Sequence, residues 1–124
     1  MNKRLRPINL QLTKYLPLPA IASITHRISG VILFVGLGFL LYLLDESLRS
    51  AQGLEQARAS LAQPIPKLLI FFVLATLIYH FVAGIRHLLL DFEIGDSLEG
   101  ARLASKVTFG VSIAMILLTG VWLW

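Results

Sequence analysis

Cysteine is absent from the 124 residues, and charged residues make up only 15% of them. The lack of thiols excludes a disulfide framework, a cysteine-ligated zinc site and an iron–sulfur cluster held by this chain alone. Hydrophobic residues reach 56%, which is more than a soluble domain of this size can bury. The formal net charge is +4, but the basic residues flank apolar runs and form no stripe typical of nucleic-acid binding. The composition therefore predicts a membrane protein.

Three runs without any Asp, Glu, Lys or Arg divide the chain: residues 28–44, 68–85 and 107–124. As helices they cover about 26–27 Å each, close to the ~30 Å hydrocarbon core of a bilayer. A soluble helix bundle is the alternative, but its helices would need a polar face, which these runs lack. We predict an all-α integral membrane protein with three transmembrane helices in a single membrane-anchor domain. Its parts are a cytoplasmic arm at 1–20 and spans at about 21–45, 66–90 and 104–124.

Prolines and glycines mark the segments between the spans. Pro17 and Pro19 predict an extended arm before the first span. In the first connection residues 54–62 predict a short surface helix that is ended by Pro64 and Pro66. Gly95 and Gly100 predict breaks in the second connection.

The basic residues also predict the orientation. Eight of the 11 fall on the side of the N-terminal arm and the second connection, and three fall in the first connection. The positive-inside rule then places the N-terminus in the cytoplasm and the C-terminus in the periplasm. The first apolar run starts only at Ile28, which argues against a cleavable signal peptide, and no amphipathic transit segment precedes it. We expect a bacterial inner membrane protein.

Polar residues collect where the first span begins. Ser23, His26, Arg27 and Gly30 have the spacing i, i+3, i+4, i+7 and therefore share one helical stripe. A guanidinium at the edge of the hydrocarbon is either an interface anchor or a charge that binds a ligand. The hydroxyl and the imidazole on the same stripe favour the binding role.

The second span contains a histidine inside its apolar run. His80 is followed on the same helical face by Gly84 at i+4 and by His87 at i+7. A buried imidazole needs an interhelical hydrogen bond, a proton relay or a metal. By the predicted topology, His80 lies in the inner half of the bilayer, on the side where the first span begins. We therefore expect the two polar clusters to form one site.

A haem fits such a site, because an imidazole can ligate its iron, a glycine leaves room for its ring and cationic side chains suit its propionates. A quinone also fits, because hydroxyl and guanidinium donors can bind its carbonyl oxygens. His87 is about 10 Å of helical rise from His80. A second axial histidine would therefore come from another subunit.

These motifs resemble the cytochrome b-type membrane anchor subunit of succinate dehydrogenase, respiratory complex II, over nearly the whole chain. The resemblance is carried by Arg6-Pro7 with Asn9-Leu10, Ser23-x-x-His26-Arg27-x-Ser29-Gly30 and His80-x-x-x-Gly84-Ile85-Arg86-His87-x-x-x-Asp91. It implies one haem b and a ubiquinone site shared with a second three-span anchor subunit, beneath an iron–sulfur subunit and a flavoprotein subunit. The sequence departs from the family at Glu93, where a small residue is usual.

The resemblance also implies roles for individual residues. His80 would be an axial haem iron ligand, with the opposite histidine supplied by the second anchor. Ser23 and Arg27 would bind quinone, and His26 with Arg27 would neighbour the haem propionates. Succinate would be oxidised elsewhere in the complex, so no catalytic residue is expected here.

Two alternatives remain open. One is the anchor of a quinol:fumarate reductase, which runs the same chemistry in reverse. The other is a structural or proton-conducting membrane subunit without cofactor, in which His80 bonds only to a neighbouring helix.

Overall fold

A computed structural model describes residues 17–95 and 97–124. Within them the chain forms four helices and no strand: α1 (Leu18–Arg49), α2 (Ala51–Ala62), α3 (Pro64–Asp91) and α4 (Leu98–Leu123). Helices α1, α3 and α4 contain 32, 28 and 26 residues and are long and apolar enough to cross a membrane. At about 1.5 Å of rise per residue, each is longer than the hydrocarbon core is thick. The predicted all-α, three-span architecture is confirmed.

Prolines begin two of the spanning helices. Pro17 has the extended conformation (φ −63°, ψ 145°) at the N-cap of α1, and Pro19 follows in the first helical turn. Pro64 is the first residue of α3, directly after the Gln63 N-cap. Proline is tolerated there because first-turn N–H groups have no partner within the helix. Helix α1 thus starts inside the predicted arm, most of which, including the Arg6-Pro7 and Asn9-Leu10 pairs, lies outside the described residues.

Serine side chains cap the other two helices. Ser50 Oγ accepts a hydrogen bond from the Gly53 N–H at 2.9 Å and starts α2. Ser97 Oγ accepts from the Gly100 N–H at 3.0 Å and starts α4. Such caps pair N–H groups that a helix start leaves unsatisfied. Gly100 lies in the first turn of α4, so the predicted break at this residue is wrong.

Small side chains fill the seam where the three spanning helices meet. Gly36 of α1 packs so closely on α3 that a Cβ at Gly36 would lie 3.0 Å from Val73 Cγ2. The buried residues of α4 are Ser105, Thr108 and Ser112. The hydroxyls of Ser105 and Thr108 donate to carbonyl oxygens one turn earlier in α4, at 2.7 and 2.8 Å. Small residues let helix backbones approach in lipid, where association depends on close packing.

The large apolar side chains point outward. Phe34 is 82% exposed, and Val121 and Trp122 are 81% and 79% exposed. In the described part of the chain, the buried hydrophobic residues are Ala22, Ala57, Val73 and Ala83. This distribution is the reverse of a soluble domain and suits a chain surrounded by lipid and by other membrane helices.

The turn between α3 and α4 contains two residues with left-handed backbone. Glu93 has φ 60° and Gly95 has φ 77°. A side chain in this region costs about 1–2 kcal/mol, a cost that glycine avoids. Glu93 therefore carries a backbone strain that Gly95 does not.

Replacing Gly95 with alanine is expected to destabilise the protein by about 1–2 kcal/mol, because alanine must adopt the same positive φ. Thermal unfolding of the purified assembly measures the effect. Gly110→Ala is the matched control: this glycine is within α4, with nothing inside 4 Å of its Cβ position. Its replacement is expected to stabilise by roughly 0.5–1 kcal/mol. A Gly95 variant as stable as the unmodified chain would contradict the left-handed turn.

Candidate functional site

Three histidines from two helices meet beside the seam between α1 and α3. The ring of His26 in α1 stacks on the ring of His80 in α3, with 4.2 Å between centroids and 20° between planes. The His26 ring also contacts His87, about two turns further along the same face of α3, at 4.8 Å and 35°. His26 therefore connects the two histidines of α3, which are seven residues apart and share a face.

Ser29 sets the tautomer of His80. The Ser29 hydroxyl donates to the His26 carbonyl oxygen at 2.6 Å, and its Oγ lies 2.9 Å from His80 Nδ1. With that hydroxyl directed at the carbonyl oxygen, the arrangement suits the His80 tautomer in which Nδ1–H donates to Ser29 Oγ. The His26 carbonyl oxygen is a second acceptor, 3.3 Å from Nδ1. Nε2 of His80 then keeps its lone pair, which is the form in which an imidazole ligates a metal.

Two glycines leave room for the imidazole rings. A Cβ atom at Gly30 would lie 3.2 Å from His80 Cε1, which is tighter than most side-chain contacts. A Cβ atom at Gly84 would lie 3.6 Å from His26 Nε2, at ordinary contact distance. Gly30 is therefore needed for the close approach of His80 to α1. Gly84 has no side chain, so the surface of α3 beside the His26 ring stays uncovered.

An open groove of about 420 Å³ follows the histidine cluster. Its lining consists of His26, His80, Phe81, Gly84, Ile85, His87 and Leu88. The Nε2 atoms of His26 and His87 are buried and have no hydrogen-bond partner among the described residues. Buried polar atoms are nearly always paired in proteins, so these nitrogens fit a site that receives a polar ligand group.

The two predicted quinone residues lie on α1 beside His26. Ser23 is half-buried and Arg27 is exposed. They are four residues apart and so within about 6 Å of each other along the helix axis. Within residues 17–95 and 97–124, neither side chain makes a hydrogen bond or an ion pair. Both polar groups are thus free to bind a ligand at this end of α1.

Comparison with known proteins shows independently which family the chain belongs to. Residues 2–119 match the family described as succinate dehydrogenase/fumarate reductase transmembrane subunit. The chain belongs to this family. It is 39% identical over 121 residues to the succinate dehydrogenase cytochrome b556 subunit of Coxiella burnetii (strain RSA 493 / Nine Mile phase I), covering 96% of this chain and 97% of that protein. It is 30% identical over 120 residues to the protein of the same name from Paracoccus denitrificans, covering 96% of this chain and 92% of that protein.

Membership of the succinate dehydrogenase/fumarate reductase transmembrane subunit family confirms the resemblance seen in the motifs. The chain is a transmembrane subunit of the succinate dehydrogenase/fumarate reductase type, and both relatives are named as cytochrome b556 subunits of succinate dehydrogenase, an oxidoreductase complex. Its three spanning helices make it a multi-pass membrane protein. A transmembrane family agrees with the large apolar surface that the described residues expose.

Two contributors to the site have no role in the sequence analysis. Ser29 belongs to the motif that begins at Ser23, but only its hydrogen bonds reveal that it contacts His80. Tyr79 links all three spanning helices: its hydroxyl donates to the Ala22 carbonyl oxygen at 3.1 Å and pairs with Thr25 Oγ1. Its ring stacks on Phe109 of α4, with 5.7 Å between centroids. Their positions in the sequence are the signal that could have identified both residues, because each is a polar side chain close to a motif histidine in an apolar helix.

Proposed function

We propose that this chain binds haem b and ubiquinone in a succinate:quinone oxidoreductase and helps to pass electrons from the iron–sulfur subunit to quinone. The observation that carries the proposal is the state of His80. Its Nδ1–H is fixed by Ser29, which leaves Nε2 as a ligand atom, and its ring lines an open groove next to Gly84. This is the preparation that an axial histidine needs.

The residues of the groove fit a haem b. His80 would ligate the iron, and Gly84 adds no side chain beside it. His26, with its unpaired Nε2, and the exposed Arg27 would neighbour the propionates, since donors and cations pair with carboxylates. When bound, the haem would supply a one-electron carrier. No group of three or more His, Cys, Asp or Glu in the described part of the chain is arranged to hold a metal ion without such a cofactor.

The quinone would bind at the start of α1, on the same side of the membrane as the histidine cluster. The Ser23 hydroxyl and the Arg27 guanidinium would donate to a carbonyl oxygen of the ring. That oxygen gains negative charge as electrons arrive, so donors that are already in place stabilise the reduced form. A hydroxyl at this position can also pass on the proton that the reduced oxygen takes up.

The proposal includes the surroundings of the chain. A second three-span anchor subunit would supply the other axial histidine, and an iron–sulfur subunit and a flavoprotein subunit would complete the complex. Succinate would be oxidised outside this chain. The excess of basic residues beside the arm and the second connection supports an N-terminus in the cytoplasm and a C-terminus in the periplasm of a bacterial inner membrane.

Within the same family, the anchor of a quinol:fumarate reductase is the alternative function, because the family description covers both enzymes. Both relatives are named as subunits of succinate dehydrogenase, which favours succinate oxidation. A purely structural anchor would need only the bond from His80 to Ser29 of the neighbouring helix; the open groove beside the His80 ring and the cytochrome names of both relatives favour the haem-binding function.

Purification of the tagged chain from membranes in a mild detergent tests the proposal. We expect a flavoprotein, an iron–sulfur protein and a second small membrane subunit to co-purify. The dithionite-reduced minus oxidised spectrum is expected to contain the bands of a b-type haem. A complex with these partners but without any porphyrin signal would overturn the haem assignment while leaving the anchor role intact.

Ser29→Ala is expected to weaken haem binding without removing the ligand. Alanine cannot accept the proton of His80 Nδ1, and loss of a hydrogen-bond partner that orients a metal ligand typically costs about 10–100-fold in affinity. The measurements are the haem-to-flavin ratio of the purified complex and the midpoint potential of the haem. Ser29→Thr keeps a hydroxyl and should restore both values. Ser105→Ala, which removes a seam hydroxyl bonded only within α4, is the control, and equal effects of the two alanine variants would refute the positioning role of Ser29.

A further inference from the structure

Arg86 lies buried on the face of α3 that looks away from His80. Arg86 is only 5% exposed, whereas many of the large apolar side chains of α3 are exposed. Arg86 and His80 are six residues apart, which places them about 120° apart around the helix. Arg86 does not line the histidine groove, although Ile85 lines both that groove and the one between α3 and α4, and His87 of the histidine cluster is the neighbour of Arg86 in the chain.

The described residues provide no counter-ion for Arg86. Its Nε is buried without a hydrogen-bond partner. The ion pairs found in residues 17–95 and 97–124 are Arg49 with Asp45 and Arg58 with Glu55, both in the region of α2 at the other end of the spanning helices. A buried cation that is left unpaired is costly, and in membrane proteins such a residue usually has an anionic partner.

A groove of about 380 Å³ between α3 and α4 has Arg86 in its wall. The rest of the lining is almost wholly apolar and includes Val82, Leu103 and Val107. Gly95 and Gly100 close its end at the α3–α4 turn, where a Cβ at Gly100 would lie 2.7 Å from the Gly95 carbonyl oxygen. The groove thus combines one guanidinium with walls that are almost wholly apolar.

The depth of Arg86 matches the headgroup region. It precedes the last residue of α3, Asp91, by five residues, which is about 7.5 Å of rise. Two further basic residues, Arg102 and Lys106, are exposed on the first turns of α4. Basic pockets between transmembrane helices at this level bind phospholipid headgroups, and each cation near the surface contributes about 1 kcal/mol.

We propose that the groove between α3 and α4 binds an anionic phospholipid, with its phosphate paired to Arg86 and an acyl chain along the apolar walls. Charge complementarity selects an anion, and the apolar lining selects one that carries a hydrocarbon chain. A soluble anion such as inorganic phosphate would gain nothing from Val82, Leu103 or Val107. A carboxylate on a neighbouring protein segment would satisfy the charge but would leave these walls to be filled separately.

The test compares phosphatidylglycerol with phosphatidylcholine of the same acyl chains, added to the delipidated complex in neutral detergent. Native mass spectrometry counts the bound lipid, and thermal unfolding reports its effect on stability. The unmodified complex is expected to bind phosphatidylglycerol in preference to phosphatidylcholine. Arg86→Gln is expected to lower phosphatidylglycerol affinity by at least about fivefold, the factor that corresponds to about 1 kcal/mol. Arg86→Lys should retain part of the preference.

Arg49→Gln is the matched control, because it removes an exposed arginine at the opposite end of the helices and should leave the preference unchanged. Inorganic phosphate is expected to have no effect. The proposal is overturned if the unmodified complex binds both lipids equally, if inorganic phosphate stabilises it as phosphatidylglycerol does, or if Arg86→Gln retains the full preference. Asp96, which lies outside the described residues, is tested by Asp96→Asn: a loss of stability equal to that of Arg86→Gln, without any effect of lipid charge, would identify a carboxylate partner instead. If Arg86→Gln does not assemble, the comparison of the two lipids on the unmodified complex decides.

Discussion

Replacing His80 with glutamine is expected to abolish the sharp absorption bands of reduced low-spin haem b in the purified complex. Glutamine cannot replace the imidazole Nε2 as an iron ligand, and Ser29 would then hold no ligand in position. Loss of a hydrogen-bond partner that orients a metal ligand costs about 10–100-fold in affinity, so loss of the ligand itself should cost more than about 100-fold. The measurement is the haem-to-flavin ratio together with the reduced-minus-oxidised spectrum.

His87→Gln is the matched control for that variant. The two residues are of the same type, lie on the same face of α3 and contact the same His26 ring. In the described part of the chain, however, no hydrogen bond fixes the tautomer of His87, whose Nε2 is buried and unpaired. We expect the His87 variant to keep the low-spin bands. A His80 variant that keeps them, or two variants that lose them equally, would refute the assignment of His80 as the axial ligand.

The three-span architecture could be predicted from the sequence because the hydrocarbon core of a bilayer excludes charged side chains. Charged side chains are expensive in hydrocarbon, so three charge-free runs predict three spans without any knowledge of their packing. Helix ends are harder to predict. Pro17 and Pro19 predict an extended arm, but proline is equally suited to the first turn of a helix, as at the start of α1. Pro64 follows the end of α2, as predicted, and also begins α3. Gly100 is a further example, since a cap from Ser97 turns a potential break into a helix start.

The candidate site was accessible only in part. Helical spacing predicts that Ser23, His26 and Arg27 share a stripe, and the topology predicts that His80 lies at a similar depth. The contact between Ser29 and His80 depends instead on how far α1 is rotated about its axis. That rotation is set by tight packing such as Gly36 against Val73, which no local pattern reveals.

Arg86 illustrates the same limit. In the sequence it is one of eight basic residues on one side of the membrane, and a basic residue near a helix end is most simply an interface anchor. The structure buries it against α4. Burial on one face of a helix follows from the partner that packs there, so the sequence alone gave no reason to distinguish Arg86 from exposed neighbours such as Arg102.

Replacing Arg27 with glutamine is expected to lower succinate:ubiquinone reductase activity by roughly 100-fold, which is the scale for loss of one preorganised donor to a developing anion. Arg27 is exposed at the start of α1 and has no partner among the described residues, so its charge is available to a ligand. Succinate oxidation with an artificial acceptor that takes electrons from the iron–sulfur subunit is expected to be unchanged, because this chain does not bind succinate in the proposed scheme. The two assays are run on the same purified complex.

Ser23→Ala separates the quinone role from the haem role, because only Arg27 is proposed to serve both. The Ser23 variant is expected to lose quinone reductase activity while keeping the haem spectrum, whereas the Arg27 variant is also expected to shift the midpoint potential of the haem. Arg49→Gln, which breaks an exposed pair with Asp45 at the other end of α1, controls for the loss of an arginine from this helix and should affect neither assay. The Ser23 and Arg27 variants could lose quinone reduction and artificial-acceptor reduction equally. That result would show that both substitutions disturb assembly of the complex, and it would contradict a role in quinone binding.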